Sequence, residues 1–348
     1  MQTKFIEKER FTRFIIEILK EYRGYAPFKF DERNILQEVT AENANKLDLS
    51  GYRTTETFKP ILFQVMEMVS RYFNAAEKEK KVKVALIGLR GCDLEGINIE
   101  DRVFGEGERT DPFYVKRRES VLLIGADCTN YGKTCFCDMV GGKLYCTNGF
   151  DLNISIVKDG YLVSSGTALG DTVLAGNSSL FSDIKEGQSS EVENNRELVE
   201  RDLIESNKKY ATKMSLNSIH KINLENKIWK ELTKDCVECS SCNLTCPSCT
   251  CFLLFDQKAG KSFERYKVWD ACLKNGYAKL AGGGNSRHKM SDRLQNRYHC
   301  KFDYSFDRLG RYSCVGCGRC IDGCAGNIDM RKIFVELEKQ VPLTVKLE

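Results

Sequence analysis

No apolar run in this chain is long enough to cross a bilayer. "VALIGL" (84–89) and "VLLIGA" (121–126) are among the longest, against roughly twenty residues for a spanning helix. Histidine is scarce as well: His220, His288 and His299 are the whole supply among 348 residues. That leaves little for acid–base catalysis, and each is expected to be a surface or capping residue. There is no G-x-x-x-x-G-K-S/T, no strand-borne G-x-G-x-x-G and no Ser/His/Asp grouping, so the usual signs of nucleotide binding and of nucleophilic hydrolysis are missing. "AGGGNSR" (281–287) is a glycine cluster with no strand before it and reads as a turn. No signal peptide is evident. Met1 leads into "QTKFIEKERFTRFIIEILKEY", where Phe5, Phe11, Phe14, Ile15, Ile18 and Leu19 recur at helical spacing, so an amphipathic surface helix is expected there. The formal net charge of +4 is too small to indicate a nucleic-acid partner.

What the chain has in abundance is cysteine, seventeen in all. The protein is too long to need disulfide staples. A reducing cytoplasm and a metal-ligating role are the expectation for these thiols. Two stretches concentrate them: Cys236, Cys239, Cys242 and Cys246, and Cys314, Cys317, Cys320 and Cys324. Both read C-x2-C-x2-C-x3-C, the spacing of bacterial ferredoxin runs. Three thiols two residues apart wrap three corners of an iron–sulfur cubane, and the fourth ligand comes from the other run. One 4Fe-4S cluster is therefore expected on Cys236, Cys239, Cys242 and Cys324, and a second on Cys314, Cys317, Cys320 and Cys246. Zinc is the alternative, but it explains two matched sets with identical spacing poorly. Each cluster with its four thiolates adds roughly −2, so two would cancel the basic surplus. Pro247 follows the first run, as in ferredoxins, whereas Ala325 follows the second.

Nine cysteines remain. Cys92 and Cys128 each lie just past an expected strand, "VKVALIGL" (82–89) and "SVLLIGAD" (120–127), and Cys135 and Cys137 share the following loop. If the strands are parallel neighbours, these four thiols meet at one sheet edge, where ligands commonly assemble. A third 4Fe-4S cluster on Cys92, Cys128, Cys135 and Cys137 is expected there, with Arg90 near it in sequence. Cys249, Cys251 and Cys272 read as packing residues beside the two-run domain or as replacements for a swapped ligand. Cys146 and Cys300 have no assigned role.

The fold class expected is α+β: a mixed α/β domain over 1–184, a charged helical connector over 185–215, and a mostly helical, ferredoxin-like dicluster domain over 216–348. "LNISIVKDGYLVSSG" (152–166) reads as a hairpin around Asp159-Gly160. The segment between the two cysteine runs reads as basic and helical. Its Arg287, Lys289, Arg293 and Arg297 suggest phosphate contacts on spacing alone, but no aromatic stacking platform accompanies them, and no nucleic-acid partner is expected.

Further motifs carry a resemblance: "CPSCTC" after the first run, Trp-Asp-x-Cys at 269–272, Ala-Gly-Gly at 281–283, an Arg-rich helix and "CVGCGRC" (314–320). With "YRTTETFKPILF" (52–63), "GLRGCDLEGINIEDRVF" (88–104), "DPFYVKRRESVLLIGADCTNYGKTCFCDMVGG" (111–142) and "FDLNISIV" (150–157), the chain resembles, over nearly its whole length, the 4Fe-4S dicluster subunits that include the beta subunit of nickel–iron sulfhydrogenases and the corresponding iron–sulfur subunit of anaerobic sulfite reductases. Residues 52–63 look closer to the hydrogenase type. Gly91 stands where that family commonly has proline, and Cys300 where it has histidine. The resemblance implies a cytoplasmic, anaerobic electron-transfer subunit without catalytic residues of its own. Such proteins sit between a flavin/NAD(P)H- or ferredoxin-linked reductase partner and a terminal catalytic partner, either a nickel–iron hydrogenase or a sirohaem-type reductase. The competing class is an iron–sulfur protein whose clusters are structural or sense redox state, of the kind attached to nucleic-acid enzymes.

Overall fold

The computed structural model describes residues 2–72 and 82–342. Among them, in chain order, are strands β1 (Thr3–Glu7), β2 (Arg23–Phe30), β3 (Arg33–Val39), β4 (Met66–Arg71), β5 (Val84–Leu89), β6 (Val121–Ala126), β7 (Leu152–Val157), β8 (Gly160–Ser165), β9 (Phe252–Ala259) and β10 (Ser262–Trp269). The chain separates into two compact units, one of residues 1–63 and 77–205 and one of residues 64–76 and 206–348.

The first unit is built on a seven-stranded sheet ordered β1-β8-β7-β6-β5-β2-β3. β2, β5, β6 and β7 run parallel, and the antiparallel strands close both edges. β6 is buried at every residue and β5 at all but its first, as expected of central parallel strands. The helix Lys8–Leu19 lays Phe11, Phe14, Ile15 and Ile18 onto this core. It begins later than the apolar spacing suggests, because Phe5 belongs to β1, which pairs with β8 through Phe5↔Leu162. The β7–β8 hairpin expected from sequence is present, but it turns at Lys158-Asp159, one residue earlier than read, with Gly160 already paired to Val157.

The stretch expected as a solvated helical connector is dominated by a twenty-residue helix, Gln188–Asn207, but that helix is seated on the fold rather than solvated all round. Val199 and Leu203 bury against Cys135, Cys137 and Leu144, and Val192 against Phe5 and Leu162. Three apolar residues suffice to seat a helix that is otherwise polar, and such sparse anchors are easily missed in a pattern scan.

The second unit carries a three-stranded antiparallel sheet, β4-β10-β9, alongside its helices. Two expectations change here. The segment after the first cysteine run opens with the hairpin β9–β10 rather than a helix. In addition, Met66–Arg71, assigned by sequence to the first domain, pairs with β10 across Met66↔Val268 to Arg71↔Glu264. A buried Lys267–Glu67 ion pair at 2.9 Å locks this pairing. The helical part packs Ile219, Trp229, Leu294, Tyr298, Phe302, Phe334 and Leu337 inside. Its aromatic centre holds Phe302 and Phe334 edge-on at 4.6 Å between ring centroids.

Leu203 is 1% exposed, so Leu203→Ala leaves a cavity beside Cys135 and Cys137 and is expected to cost about 2–4 kcal/mol. Chemical denaturation followed by circular dichroism checks this; a change below about 1 kcal/mol would show that the helix is not seated as described.

Candidate metal centres

The two cysteine runs share a backbone device. Each places the second and fourth residues after its first cysteine in the left-handed region. In the second run these are Gly316 (φ 63°) and Gly318 (φ 74°), which accept it without a side-chain clash; in the first they are Glu238 (φ 57°) and Ser240 (φ 62°), which do not. Repetition of one loop shape with different residues shows that the shape itself is required. It wraps the backbone around a point toward which successive thiols turn.

The runs also interleave. Cys236, Cys239, Cys242 and Cys324 line one cavity, which Cys320 also borders, and Leu294, Arg297, Tyr298 and Met330 are part of its wall. Cys314 and Cys320 each sense the charge of Cys246 and Cys317. Close approach of the two loops is what allows this exchange. A Cβ on Gly326 would stand 2.0 Å from the Asp235 carbonyl oxygen, and one on Gly323 would stand 2.6 Å from the Ser241 hydroxyl. Cys324 thus reaches the first run's thiols and Cys246 the second's.

Thiols gathered in this way resist ionising. Burial pushes Cys314 up to about 12 and raises Cys320 and Cys242. Two buried cations oppose the trend. Burial works against the charge of Arg297, yet the surrounding Cys242, Cys249, Cys246 and Cys320 raise its pKa; Lys301 is held charged in the same way by Cys246 and Cys249. Lys301 is 2% exposed and donates to the Ser248 carbonyl (3.1 Å), the Ser248 hydroxyl (2.8 Å) and the Ser313 carbonyl (3.2 Å). Arg297 Nη1 lies 3.4 Å from Cys249 Sγ. Cys246 is held well below the usual thiol range by a hydrogen bond from Cys249 and then by these two cations.

Cys249, Cys251 and Cys272 therefore have definite partners. Cys249 bonds Cys246, Cys251 bonds Cys272, and Asn243 Nδ2 donates to Cys272 Sγ at 3.3 Å and reaches Cys249 Sγ at 3.8 Å. Of Arg287, Lys289, Arg293 and Arg297, the last two are buried. Arg293 is spent on the Leu273 and His288 carbonyls, both at 2.7 Å, and is not offered to phosphate.

In the first unit β5 and β6 are parallel neighbours, and three of the thiols beyond them, Cys128, Cys135 and Cys137, come together. Cys137 senses Cys128 and Cys135. Burial pushes Cys128 up to about 12 against the pull of Arg90, and raises Cys146, which senses Asp127 and Cys128. Cys92 is buried in the first turn of the helix Gly91–Glu100. Cys146, unassigned from sequence, lies beside Cys128; its place under Gly125, where a Cβ would stand 2.5 Å from its Sγ, depends on a fold-back that residue spacing does not reveal. Arg90 is 1% exposed. It donates to the carbonyls of Ala126, Leu49 and Ser50 at 3.4, 2.9 and 3.0 Å, so its charge is fixed beside these thiols. Gly91 has its own constraint: a Cβ there would stand 2.4 Å from the Lys143 carbonyl oxygen.

The histidines differ from expectation. His288 is exposed, but His299 is half-buried and His220 fully buried.

Interleaved cysteine loops backed by buried cations define a 4Fe-4S dicluster protein, and residues 235–328 match the family model for the 4Fe-4S dicluster domain. Residues 235–328 thus carry a 4Fe-4S dicluster domain, and the chain as a whole is similar to the dicluster subunits that its motifs resemble. Over 338 residues it is 28% identical to Sulfhydrogenase 2 subunit beta of Pyrococcus furiosus, covering 96% of this chain and 98% of that protein. Among the described residues no helix is long and apolar enough to cross a membrane.

Ser240 bears a side chain in a left-handed conformation, so Ser240→Gly should stabilise the protein by about 0.5–1 kcal/mol. The readout is the midpoint of anaerobic thermal unfolding. A lowered midpoint would mean that its side chain supports the loop more than its backbone strains it.

Proposed function

We propose that this chain is a one-electron relay component of an anaerobic oxidoreductase complex, holding two 4Fe-4S clusters in its second unit and a third in its first. The observation that carries the reading is the exchange between the runs, Cys324 with the thiols of 236–242 and Cys246 with those of 314–320. One cluster is assigned to Cys236, Cys239, Cys242 and Cys324, the other to Cys314, Cys317, Cys320 and Cys246. Cys128, Cys135 and Cys137 supply three ligands of the third, and Cys92 the fourth, with Cys146 beside Cys128 as the competing candidate. A 4Fe-4S cluster supplies one-electron exchange at a potential set by charge, hydrogen bonds and solvent. The protein's part is to bury the thiolates, keep water out and place Arg297, Lys301 and Arg90 as fixed countercharges.

The similarity to a sulfhydrogenase beta subunit favours a hydrogenase-type complex over a sirohaem-type one. The family resemblance implies a flavin/NAD(P)H- or ferredoxin-linked partner as the other electron terminus. A hydride cannot pass to a one-electron cluster without a flavin. The pure chain is therefore expected to be brown, to hold about twelve irons, and to reduce dyes from a low-potential donor but not from NADH or NADPH unaided. Stoichiometric zinc without visible absorption, or NADH-dependent dye reduction by flavin-free protein, would overturn the reading. Cys128→Ser and Cys135→Ser should each lose about four irons from the full-length protein. Comparing Cys92→Ser with Cys146→Ser identifies the fourth ligand, and about eight irons in the unaltered protein and in all four variants would leave only two clusters.

Lys301→Met removes a buried positive charge near Cys246, which disfavours the more negative reduced state. The potential of the adjacent cluster should fall by roughly 40–90 mV, the equivalent of about 1–2 kcal/mol for one electron at an effective dielectric near 20. Redox titration followed by electron paramagnetic resonance measures it, and an unshifted potential would deny Lys301 this role.

A further inference from the structure

We infer that His220, His299 and Asp303 form a separate binding site for one zinc-class divalent cation, built from nitrogen and oxygen donors rather than thiolates. One donor atom from each residue lies within 4.8 Å of the other two. A zinc ion bonded at about 2.0–2.2 Å holds its donors roughly 3.3–3.5 Å apart, so side-chain rotations on the order of an ångström close the set. The sequence arranges this locally. His299 ends the helix Met290–His299, and Asp303 sits in the wider helical turn Cys300–Tyr304 that continues it. That turn brings residues four apart onto one face, and such turns often mark functional positions. His220 comes from the neighbouring helix Leu216–Ile222.

Two features point to a ligand rather than to packing. His220 is 0% exposed, and neither ring nitrogen has an aligned hydrogen-bond partner, although the Gln295 backbone lies near enough to favour the protonated ring slightly. Buried polar atoms without partners are rare enough to call for an explanation, an ion being one. His299 Nδ1 and Asp303 Oδ2 approach to 2.6 Å, yet His299 Nδ1 too lacks an aligned hydrogen bond. Burial, followed by the neighbouring His299, lowers His220 to about 4, so at neutral pH it presents the unprotonated ring that a metal requires.

The surroundings are compatible with a cation. Lys221 Nζ stands 3.2 Å from Asp303 Oδ1 and 3.0 Å from Asp307 Oδ1. It is 44% exposed, its charge is shared with Asp307, and it leaves Oδ2 turned toward His299. The Trp229 and Tyr304 rings flank the histidines, at 5.9 Å from His220 and 4.0 Å from His299. A water usually completes a three-ligand zinc site, and the His299 side chain is 24% exposed. Such an ion clasps the helix Leu216–Ile222 to the run 290–304. That run also carries Arg297 and Lys301, so the clasp fixes the element that brings countercharge to the thiols.

The test uses the full-length, anaerobically purified, cluster-loaded protein, incubated with one equivalent of zinc and desalted. About one zinc per chain should remain, with iron content unchanged, and zinc-edge X-ray absorption should show nitrogen and oxygen neighbours at about 2.0–2.1 Å with imidazole scattering. His299→Gln and Asp303→Asn should each lower retained zinc at least tenfold without loss of iron; both avoid truncating the fully buried His220. Absence of retained zinc in the unaltered protein, or full retention in both variants, overturns the site. Zinc with sulfur neighbours at about 2.3 Å overturns it too, and if iron falls in parallel the same result counts against the cluster assignment, which this site does not depend on.

Discussion

Several buried thiolates cannot share one small volume unless positive charge is held among them, and the rest of this structure is arranged around that constraint. Desolvation raises the pKa of Cys128, Cys137, Cys146, Cys314 and Cys320, so in the protein alone most of these sulfurs remain protonated. Bound metal reverses this, since a coordinating thiol is deprotonated outright. The protein contributes the remainder of the charge balance from inside. Arg90, Arg297 and Lys301 are each nearly inaccessible to solvent, and the partners described for them are carbonyls, hydroxyls and sulfurs rather than carboxylates. A buried cation placed this way would be costly anywhere else in a globular protein.

The same constraint explains where backbone irregularity is tolerated. Wrapping three sulfurs about one point demands left-handed residues at fixed places, and the second run meets the demand with glycine. Gly323 and Gly326 serve a different need, contact between the runs, and neither can bear a Cβ without striking Ser241 or Asp235.

The dicluster domain was legible in the sequence because the pattern of its two cysteine runs is local: spacing within a single short run determines which sulfurs can face one point. The parallel pairing of β5 with β6 was legible as well, since fully apolar runs flanked by helical patches leave few topologies. Pairing of Met66–Arg71 with β10 was not, because nothing in either segment encodes so distant a partner. The seating of Gln188–Asn207 was hidden by its polar composition. His220 was missed for a related reason: a single histidine on a short helix gives no periodic signal, and only the fold shows that its face turns inward toward His299.

Glu238 shows why the first run did not settle on glycine throughout. Its carboxylate accepts the Asn275 amide and pairs with Arg293 Nη2 at 3.3 Å. Arg293 in turn gathers the Leu273, Arg287 and His288 carbonyls. One strained residue in the cysteine loop thereby anchors the long, polar segment 273–288, which contains little regular structure of its own. A glycine at 238 would relieve backbone strain of about 1 kcal/mol and release Arg293 from its carboxylate. The helix Met290–His299 starts beside that anchor and carries Arg297 toward the sulfurs one turn later. Backbone strain in the loop and placement of countercharge are thus parts of one arrangement, linked through Glu238 and Arg293.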